Sequence, residues 1–503
     1  MKESLKTTRQ GLVSLVGAGP GDPGLITLRG LHSIEAADVI YYDNLATPAL
    51  LAHAPKGAET VYVGRKRAEH AYSQKEIHLM LIESAQSGKR VVRLKGGDPL
   101  IFGRGGEEAE ALAEAAVPFE VIPGVTAAVG VGAYAGIPLT HRDWTSAVTF
   151  VTGHDVEAID WSKIGSAETL VVFMGLTSFE KIASRLVENG RSPDTPAAAI
   201  RWGTRGDQIV MEGTINTLTA NIERTQLKPP ALIVIGEVVS LRSKLNWFEK
   251  LPLFGTSVVV TRAREQSAQF CEALRLLGAD VIDLPTIRTE PVSDSTLIDE
   301  AIDNLAVYDW LIFTSANGVR YFIERLDKSD RDLRDVRAAI LAIGPATAEA
   351  IRALHLKVDF LPDQFVAESI LTAFSSHDLV GKKILLPRAD QARDVLPHEL
   401  ERRGAKVDVV STYRTVLPET SRVLAEKVFS AKKCPDWITF TSSSTVKNFA
   451  NLVPIEQLKG VRIASIGPIT SETIRQFGFD VDVESRKYTT DGLLQVLTEA
   501  VGK

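Results

Sequence analysis

Glycine-rich turns that contain an aspartate follow two apolar, strand-like runs in the first half of the sequence. The first reads VGAGPGDPG over residues 16–24, and the second reads LKGGDPLIFGRGGEE over residues 94–108. A phosphate-binding loop needs a terminal Gly-Lys-Ser/Thr, and a dinucleotide fingerprint needs G-x-G-x-x-G, so neither turn matches a nucleotide site. Because the carboxylates of Asp22 and Asp98 would repel a pyrophosphate, the turns suit a cationic or zwitterionic ligand better.

A third turn has the same order of strand-like run, glycine and helix. It reads VIPGVTAAVGVGAYAG over residues 121–136, and its small side chains allow a backbone or a flat ligand to approach closely. Three such turns at strand ends line one crevice of an α/β sheet, which is where ligands usually bind. Alternating strand-like and helical runs continue along the chain, so we expect α/β domains.

The second half of the sequence contains an internal repeat. YDWLIFTSANGVRYF (308–322) returns as PDWITFTSSSTVKNF (435–449), and AAILAIGPATAEAIR returns as VRIASIGPITSETIR. VVVTRAREQ and ILLPRADQA correspond as well. Matched blocks in the same order predict two similar α/β units, and the cleft between two such units is a favoured ligand location.

Each repeated unit offers hydroxyl groups where a strand gives way to a helix. The strand-end turns hold Thr314, Ser315 and Asn317 in one unit, and Thr441, Ser442 and Ser443 in the other; Gly-Pro turns precede Thr347 and Thr470. Hydroxyls and free N–H groups at helix starts bind anions, with plain N-capping as the structural alternative. Four such turns favour an anion-lined cleft. Arg262 and Arg388, at equivalent positions, are either structural or add positive charge to it.

Length and composition exclude several classes of protein. A chain of 503 residues exceeds a single core, and we place the main domain boundary near residues 247–256. The net charge of -6 gives no general attraction to nucleic acid or to anionic membranes. No apolar run is long enough to span a membrane, and the first residues lack an apolar signal core. Two cysteines, Cys271 and Cys434, predict neither a disulfide framework nor a zinc site, so we expect a cytoplasmic protein.

Residues 11–248 resemble uroporphyrinogen-III C-methyltransferase, a tetrapyrrole methyltransferase with two α/β domains. The resemblance rests on VGAGPGDPGLITLRG, VVRLKGGDPLIFGRGGEE, VIPGVTAAVGVGAYAGIPLTHRD, TLVVFMGL and PALIVIGEVVSLRSKLNWF. It implies that the turns hold S-adenosylmethionine, a zwitterion with a sulfonium, which accounts for the aspartates. The cofactor-binding residues that it implies are Pro20, Gly96, Gly97, Asp98, Ile101, Thr126, Ala127, Met174 and Gly203.

The same resemblance implies catalytic and substrate-binding residues. Asp43, in YYDNL, falls on the proton acceptor, and a carboxylate can take the proton that leaves a methylated pyrrole; a helix N-cap is its structural alternative. The proton-donor lysine of the family falls on Arg65, which is a poor donor because a guanidinium stays protonated. Either that donor is dispensable or Lys66 replaces it.

Uroporphyrinogen III carries eight carboxylates, so the resemblance implies a basic substrate site within this acidic chain. Basic side chains within or beside the three turns are the candidates, and arginine suits carboxylates because it can bind them with two parallel hydrogen bonds. These residues are Arg93, Lys95, Arg104 and Arg142. A solvated charge on the rim of the site is the alternative for each.

Residues 256–500 resemble uroporphyrinogen-III synthase through VTRA, WLIFTSANGV, AIGPATAEAI, STYRT, ITFTSSSTV, SIGPITSETI and YTTDGL. The resemblance implies two α/β lobes, 256–289 with 416–503 and 290–415, joined by a two-stranded connector. The tyrosine of the family falls on Tyr413, which would protonate the leaving hydroxyl of hydroxymethylbilane; a packed strand tyrosine is the alternative. Tyr488 is a rival, but its counterpart in the first unit is Phe365. The hydroxyl-rich turns then bind substrate.

We therefore predict a two-domain α/β methyltransferase fold over residues 11–250, with a subdomain break near 120–145, followed by a two-lobed α/β synthase domain over 256–503. The product of the second half is the substrate of the first. We predict conversion of hydroxymethylbilane to uroporphyrinogen III and two methylations to precorrin-2, on the branch toward sirohaem and cobalamin. The predicted cofactor is S-adenosylmethionine, without metal, nucleic-acid or membrane partners, and the family resemblance implies a homodimer through the methyltransferase half.

Two alternatives remain open from the sequence. The first half could methylate a different acceptor, such as a later precorrin or ribosomal RNA, although the net charge and the complete LKGGDPLIFGRGGEE block argue against RNA. The second half could be a non-catalytic module that binds a tetrapyrrole for the first half. Turnover of supplied uroporphyrinogen III and ring closure above the spontaneous rate distinguish these functions.

Overall fold

A computed structural model describes residues 11–55, 57–64, 72–362, 374, 378–390, 395–430 and 434–502. These residues form four five-stranded sheets, two in each half of the chain. Helices cover the sheets, so the expected α/β fold class is confirmed. Among the described helices, none combines the length and the apolar composition that crossing a membrane requires.

The described part of the first half contains ten strands and eight α-helices. Its strands are β1 (Leu12–Gly17), β2 (Val39–Tyr42), β3 (Glu59–Tyr62), β4 (Arg90–Lys95), β5 (Phe119–Ile122), β6 (Val148–Thr152), β7 (Thr169–Phe173), β8 (Pro196–Arg201), β9 (Ile209–Thr214) and β10 (Ala231–Ile235). Its helices are α1 (Leu28–Glu35), α2 (Gln74–Gln86), α3 (Gly105–Glu114), α4 (Ala127–Ala135), α5 (Trp161–Ile164), α6 (Phe179–Glu188), α7 (Ile215–Thr225) and α8 (Arg242–Leu245).

The first sheet is entirely parallel, in the order β3-β2-β4-β1-β5. Its interior strand β1, LVSLVG, is buried almost throughout, as expected for a parallel strand with helices on both faces. On one face Val13 and Leu15 pack with residues of α2 and α3, and on the other Val16 packs with α1. This packing places the carboxyl ends of β1, β2, β4 and β5 along one edge.

The second sheet is mixed, in the order β6-β7-β10-β8-β9. Only β6 and β7 are parallel, because β10 runs antiparallel to both of its neighbours and β8 runs antiparallel to β9. The small-residue helix α4 packs on this sheet, where Ala128, Val131 and Ala135 contact the core beneath β8 and β10. The segment that connects the first two sheets runs from the end of β5 to the start of β6 and contains α4.

Among the described residues, the second half contains ten further strands and nine α-helices. The strands are β11 (Ser257–Val260), β12 (Asp280–Asp283), β13 (Arg288–Pro291), β14 (Trp310–Phe313), β15 (Ala339–Ala342), β16 (Lys383–Ala389), β17 (Lys406–Val416), β18 (Trp437–Phe440), β19 (Arg462–Ser465) and β20 (Val483–Glu484). The helices are α9 (Arg264–Leu276), α10 (Thr296–Asp303), α11 (Ala316–Leu326), α12 (Pro345–Arg352), α13 (Val395–Arg402), α14 (Glu419–Phe429), α15 (Ser443–Ala450), α16 (Pro468–Gln476) and α17 (Thr490–Val501).

The last two sheets share one strand arrangement. The third sheet has the order β12-β11-β18-β19-β20, and the fourth has the order β13-β17-β16-β14-β15. The repeated sequence blocks occupy matching strands, since β14 and β18 begin at Trp310 and Trp437. In both sheets the matching strands are parallel, and only β13 runs antiparallel to its neighbour β17. The third sheet combines strands from before and after the whole fourth sheet.

The chain passes twice between the third and fourth sheets. One passage leaves the carboxyl end of β12 and enters β13, and the other leaves the carboxyl end of β17 and enters α14. The side chain of Ser421, in α14, donates to Pro285 O at 2.6 Å and ties the two passages together. The carboxyl edges of both sheets therefore border these passages. We call the space between these two sheet edges the interlobe region.

The two halves of the chain are in direct contact. The backbone N–H of Gly255 donates to Gly206 O at 3.0 Å, and the guanidinium of Arg205 lies 3.5 Å from the Asp280 carboxylate. Burial, with Asp207 nearby, raises the pKa of Asp280. A cavity of about 480 Å³ lies at this contact, lined by Arg201 from the first half and Cys434 from the second.

Candidate functional site

The three glycine turns of the first half meet at the carboxyl edge of the first sheet. A Cβ on Gly17 would lie 2.5 Å from the Gly124 Cα, and a Cβ on Gly124 would lie 2.3 Å from Gly97 O. Paired backbone hydrogen bonds join Gly19 and Gly97, at 3.2 and 2.7 Å. Only glycine permits backbones to approach this closely, and we call the three turns packed in this way the glycine cradle.

We expect Gly124→Ala to weaken binding of S-adenosylhomocysteine by at least about tenfold, because the added methyl group would force the Gly97 turn outward. Isothermal titration calorimetry of the full chain measures this affinity directly. Gly106→Ala is the matched control, since a Cβ on Gly106 meets no atom within 4 Å. Equal affinities of the two variants would show that the ligand does not depend on this cradle.

The aspartates of the turns serve the turns themselves. Asp98 accepts hydrogen bonds from the backbone N–H groups of Leu100, at 2.8 Å, and Gly124, at 3.0 Å. Asp22 accepts from Gly24 N at 2.9 Å and from the Tyr134 hydroxyl at 2.7 Å. Both carboxylates therefore hold loop backbones in place. The sequence does not reveal the contacts with Gly124 and Tyr134, because these residues belong to another turn and to a helix.

The predicted cofactor-binding residues converge from both sheets of the first half. Pro20, Gly96, Gly97, Asp98 and Ile101 lie on the turns after β1 and β4, Thr126 caps α4 ahead of Ala127, and Met174 and Gly203 follow β7 and β8. The ring of Phe102 lies 5.0 Å from that of Phe173, which joins the β4 turn to the end of β7. Ile101 and Met174 stay 37% and 54% exposed. An apolar, partly open surface thus borders the glycine cradle.

Asp43 follows β2 at the same edge of the first sheet. Its carboxylate accepts from Leu45 N at 3.0 Å and lies 3.2 Å from the Arg93 guanidinium, with a quarter of the side chain exposed. No helix begins at Asp43, because the next helical turn starts at Pro48 and has Thr47 as its N-cap. The N-cap alternative is therefore wrong for Asp43, whose carboxylate keeps access to solvent.

A buried charge cluster lies beneath Asp43. Glu108, fully buried on α3, contacts Lys95 Nζ at 2.8 Å and Arg93 Nε at 3.2 Å through Oε1. The side-chain amide of Gln74 donates to the same oxygen at 3.1 Å, while Oε2 has no partner among the described residues. Burial lowers the pKa of Lys95, and the nearby positive charge of Arg93 lowers it further. We call Asp43, Arg93, Lys95 and Glu108 the buried charge cluster.

This cluster corrects the rim interpretation of two basic residues. Arg93 and Lys95 are each 4% exposed, so neither is a solvated rim charge, and both act on Asp43 and Glu108 from below. Arg104 and Arg142 do lie on the surface, and Arg104 pairs with Glu107 at 2.6 Å. Arg65 and Lys66 lie outside the described residues.

Sequence reasoning missed Glu108 as a functional candidate. Two glutamates at the start of a helix are expected to interact favourably with the positive end of the helix dipole. The exposed Glu107 fits that role. Glu108 instead turns inward toward Lys95, on the adjacent strand β4. The sequence did contain one indication of this role, because Arg93 and Lys95 lie in a strand that is otherwise apolar. Buried charges need partners of opposite charge.

In the second half, Tyr413 and Ser315 come together beside the interlobe region. Tyr413 lies on β17 opposite Pro291 of β13, its ring stacks on Tyr321 at 5.4 Å, and its hydroxyl lies 3.1 Å from Ser315 Oγ. Burial raises the pKa of the Tyr413 phenol, so it keeps its proton at neutral pH. The structure thus joins the predicted catalytic tyrosine to one of the predicted hydroxyl turns.

The other hydroxyl turns occupy equivalent strand ends. Ser315 caps α11 by accepting from Gly318 N at 3.0 Å, and Ser442 caps α15 by accepting from Thr445 N at 3.3 Å. Thr314 precedes Ser315, Ser443 bonds Thr473 Oγ1 at 2.7 Å, and Thr347 and Thr470 are buried in the first turns of α12 and α16. The rival Tyr488 is 68% exposed and lies against Gly467. N-capping therefore accounts for two of these hydroxyls without excluding a ligand.

Two known families match separate parts of the chain. The family described as Tetrapyrrole (Corrin/Porphyrin) Methylases matches residues 12–219, and the family described as Uroporphyrinogen-III synthase HemD matches residues 268–495. The first range covers the glycine cradle and the buried charge cluster, and the second covers the interlobe region. Among the described residues, no group of three or more His, Cys, Asp or Glu side chains is placed to hold a metal ion.

Individual relatives match one or both parts. The porphyrin biosynthesis protein HemD of Ruminiclostridium josui is 37% identical over 502 residues, 98% of each chain. The uroporphyrinogen-III C-methyltransferase of Bacillus subtilis (strain 168) is 39% identical over 342 residues, 66% of this chain and 70% of the relative. A crystal structure of uroporphyrin-III C-methyltransferase from Thermus thermophilus, complexed with S-adenyl homocysteine, is 39% identical and covers 46% of this chain and 100% of its own, with a TM-score of 0.41.

Proposed function

We propose that this chain, which belongs to the family of fusion proteins that join a tetrapyrrole methylase domain to a uroporphyrinogen-III synthase domain, closes hydroxymethylbilane to uroporphyrinogen III and methylates that product twice to precorrin-2. One observation carries the proposal. The relative from R. josui aligns along 98% of both chains, so the two domains stand together in both proteins. The product of the proposed ring closure is the substrate of the proposed methylation.

The residues of the first half fit S-adenosylmethionine as the methyl donor. The glycine cradle holds the three turns in close contact, and Ile101 and Met174 offer apolar surface beside it. When bound, this cofactor supplies an electrophilic methyl group on its sulfonium. The turns position it, because the hydrogen bonds of Asp98 to Leu100 N and Gly124 N fix two of the turns relative to each other.

Asp43 is the proposed proton acceptor of the methylation. Each methyl transfer adds a cationic methyl group to a pyrrole carbon, and the macrocycle must then release one proton. The Asp43 carboxylate is partly exposed at the edge that carries the cradle, and its contact with Arg93 fixes its orientation. Arg93 is in turn held by Glu108, so the buried charge cluster positions the base from below.

The exposed arginines of the first half are the proposed contacts for substrate carboxylates. Arg104 lies in the β4 turn with a backbone φ of 58°, and Arg142 lies between α4 and β6. The Arg104–Glu107 ion pair is exposed and contributes little to stability, so a substrate carboxylate can replace it at small cost. Arg93 and Lys95 are proposed to act through Asp43.

Tyr413 is the proposed acid of the ring closure. The bond between the terminal methylene carbon of hydroxymethylbilane and its hydroxyl must break, and the phenol can donate its proton so that the hydroxyl leaves as water. The Ser315 hydroxyl, 3.1 Å from the phenol oxygen, can orient that proton. Much of the remaining acceleration comes from holding the flexible substrate in a folded shape between the lobes.

We expect Tyr413→Phe to lower the rate of isomer III formation by about a hundredfold, the low end of what a general acid contributes. Stacking on Tyr321 survives in phenylalanine, so stability changes little. Stopped-flow or discontinuous assay of uroporphyrinogen isomers measures the rate. Tyr308→Phe, which removes a phenol bonded to Asp408 at 2.7 Å in the same lobe, is the control and should retain activity. A fully active Tyr413→Phe enzyme would assign the tyrosine to packing alone.

The whole function is tested by giving the purified chain hydroxymethylbilane with and without S-adenosylmethionine. Separation of the products by isomer and methylation state should show isomer III without the cofactor and precorrin-2 with it. Isomer I alone, the product of spontaneous closure, would show that the second half does not catalyse closure. Failure to methylate supplied uroporphyrinogen III would show that the first half takes another acceptor.

Two further properties are part of the proposal. A homodimer formed through residues 11–250 is expected from the methyltransferase resemblance, and sedimentation equilibrium of the full chain tests it. A cytoplasmic location is expected from the cysteine usage, since Cys271 and Cys434 are free cysteines.

A further inference from the structure

Arg262 lies at the carboxyl end of β11, and the proposed reaction has not yet used it. Extending the pairing of β11 with β18 places Arg262 beside Thr441, in the turn that leads into α15. On the opposite side, Thr286 N donates to Thr261 O at 3.0 Å, so the passage between the lobes runs next to Arg262. Arg262 therefore stands where the third sheet borders the interlobe region.

The guanidinium of Arg262 has no hydrogen-bond or ion-pair partner among the described residues. Its Nε is fully buried without an acceptor, and burial lowers the pKa of the group with no carboxylate opposing that effect. Buried polar groups in folded proteins normally have partners, and a buried charge without one is costly. The arrangement points to an acceptor that is not among the described residues, and a bound ligand can supply it.

Three other partly or fully buried arginines are satisfied internally, whereas Arg201 shares with Arg262 a buried Nε that has no acceptor among the described residues. Arg191 donates to Ala167 O at 2.7 Å, and Arg242 contacts the Glu249 carboxylate at 2.6 Å. Arg93 binds Glu108 within the buried charge cluster. The unpaired state of Arg262 is therefore not the general condition of buried arginines in this fold.

We propose that Arg262 binds a side-chain carboxylate of the tetrapyrrole in the interlobe region, an inference that rests on the proposed ring closure. A guanidinium offers a carboxylate two parallel N–H donors, and a lysine ammonium cannot reproduce that geometry. The adjacent turn adds hydroxyl groups at Thr441, Ser442 and Ser443. The ligand is thus a polycarboxylate tetrapyrrole, and the number of its carboxylates governs how well it binds.

The test compares Arg262→Gln and Arg262→Lys with the unchanged full chain. We expect Arg262→Gln to raise the KM for hydroxymethylbilane at least about tenfold while kcat falls less than about threefold, and Arg262→Lys to restore part of the affinity. Arg264→Gln is the matched control, since Arg264 is half exposed and lies 3.7 Å from Asp283. Its KM should equal that of the unchanged chain. A KM of Arg262→Gln within twofold of this control would overturn the proposal.

A binding measurement separates this proposal from the proposed function. Titration with uroporphyrin III, which has eight carboxylates, should show two sites per unchanged chain and one strong site in Arg262→Gln. The binding of coproporphyrin III, which has four carboxylates, should differ much less between the unchanged chain and Arg262→Gln. If the unchanged chain forms only isomer I, ring closure fails as a function, and loss of a uroporphyrin site in Arg262→Gln still supports the carboxylate contact. Should both sites persist in a folded Arg262→Gln chain, the carboxylate contact is wrong even where ring closure is observed.

Discussion

Replacement of Asp43 by asparagine is expected to lower the methylation rate of supplied uroporphyrinogen III by about 10²- to 10⁴-fold, the usual contribution of a general base. An asparagine side chain can still accept the hydrogen bond from Leu45 N, so the turn after β2 keeps its shape. It cannot take up the proton that each methylation releases. Single-turnover assays with S-adenosylmethionine measure this step without interference from product release.

Two comparisons make the Asp43 result specific. Formation of isomer III should be unchanged in Asp43→Asn, because the synthase sheets lie in the other half of the chain. Asp38→Asn is the matched control, since Asp38 precedes the same strand at its opposite end and accepts from Arg90 N at 2.7 Å. If Asp43→Asn methylates as fast as Asp38→Asn, the proton acceptor lies elsewhere.

Replacement of Glu108 by leucine is expected to lower the free energy of unfolding of the first half by about 3–5 kcal/mol, the usual cost of removing one partner from a buried ion pair. The leucine would leave Arg93 and Lys95 buried and close together without their carboxylate. Urea denaturation of the full chain, followed by probes in each half, should show the earlier transition moving while the synthase transition stays in place.

The pH dependence of Glu108→Leu gives a second readout. Lys95 already has a folded pKa below its ordinary value of 10.5, and loss of the carboxylate that raises it should lower that pKa further. The unfolded chain then binds more protons than the folded chain between the lowered pKa and 10.5, so stability rises with pH across that window. The destabilisation should therefore shrink as the pH is raised from neutral.

Glu107→Leu is the control for Glu108→Leu, because Glu107 is half exposed and bonds only its neighbour Arg104. A surface change of this kind should alter stability by no more than about 0.5 kcal/mol. Equal unfolding midpoints for the two variants would mean that the buried charge cluster positions Asp43 without stabilising the fold. Methylation by Glu108→Leu would then still be lowered, through the orientation of Asp43 by Arg93.

Short sequence patterns predicted the fold class and the repeat. Both family resemblances are confirmed. The glycine turns were recognisable because glycine spacing directly reports where backbones approach closely. The matching starts of β14 and β18 at Trp310 and Trp437 likewise follow from a repeated apolar strand and its turn. Such features depend on residues that are close in the chain.

Features that depend on distant partners were not predictable. The sequence predicts that Arg93 and Lys95 bind substrate carboxylates, with a solvated rim charge as the alternative. Their burial against Glu108 was not predictable, because Glu108 lies on another element. The sequence predicts that the charge of Asp22 favours a cationic or zwitterionic ligand, whereas the structure shows Asp22 accepting a hydrogen bond from Tyr134, more than a hundred residues away. The antiparallel strands of the second sheet also gave no signal distinct from parallel ones in their apolar runs.

The composite third sheet has a consequence for synthesis of the chain on the ribosome. Its interior strand β11 pairs with β12, made shortly afterwards, and with β18, made only after the complete fourth sheet. Until Trp437 emerges, one side of β11 is an open, apolar edge of the kind that recruits other strands. The fourth sheet, built from one continuous segment, can form first, so the lobe that begins earlier in the nascent chain is the one that is completed last.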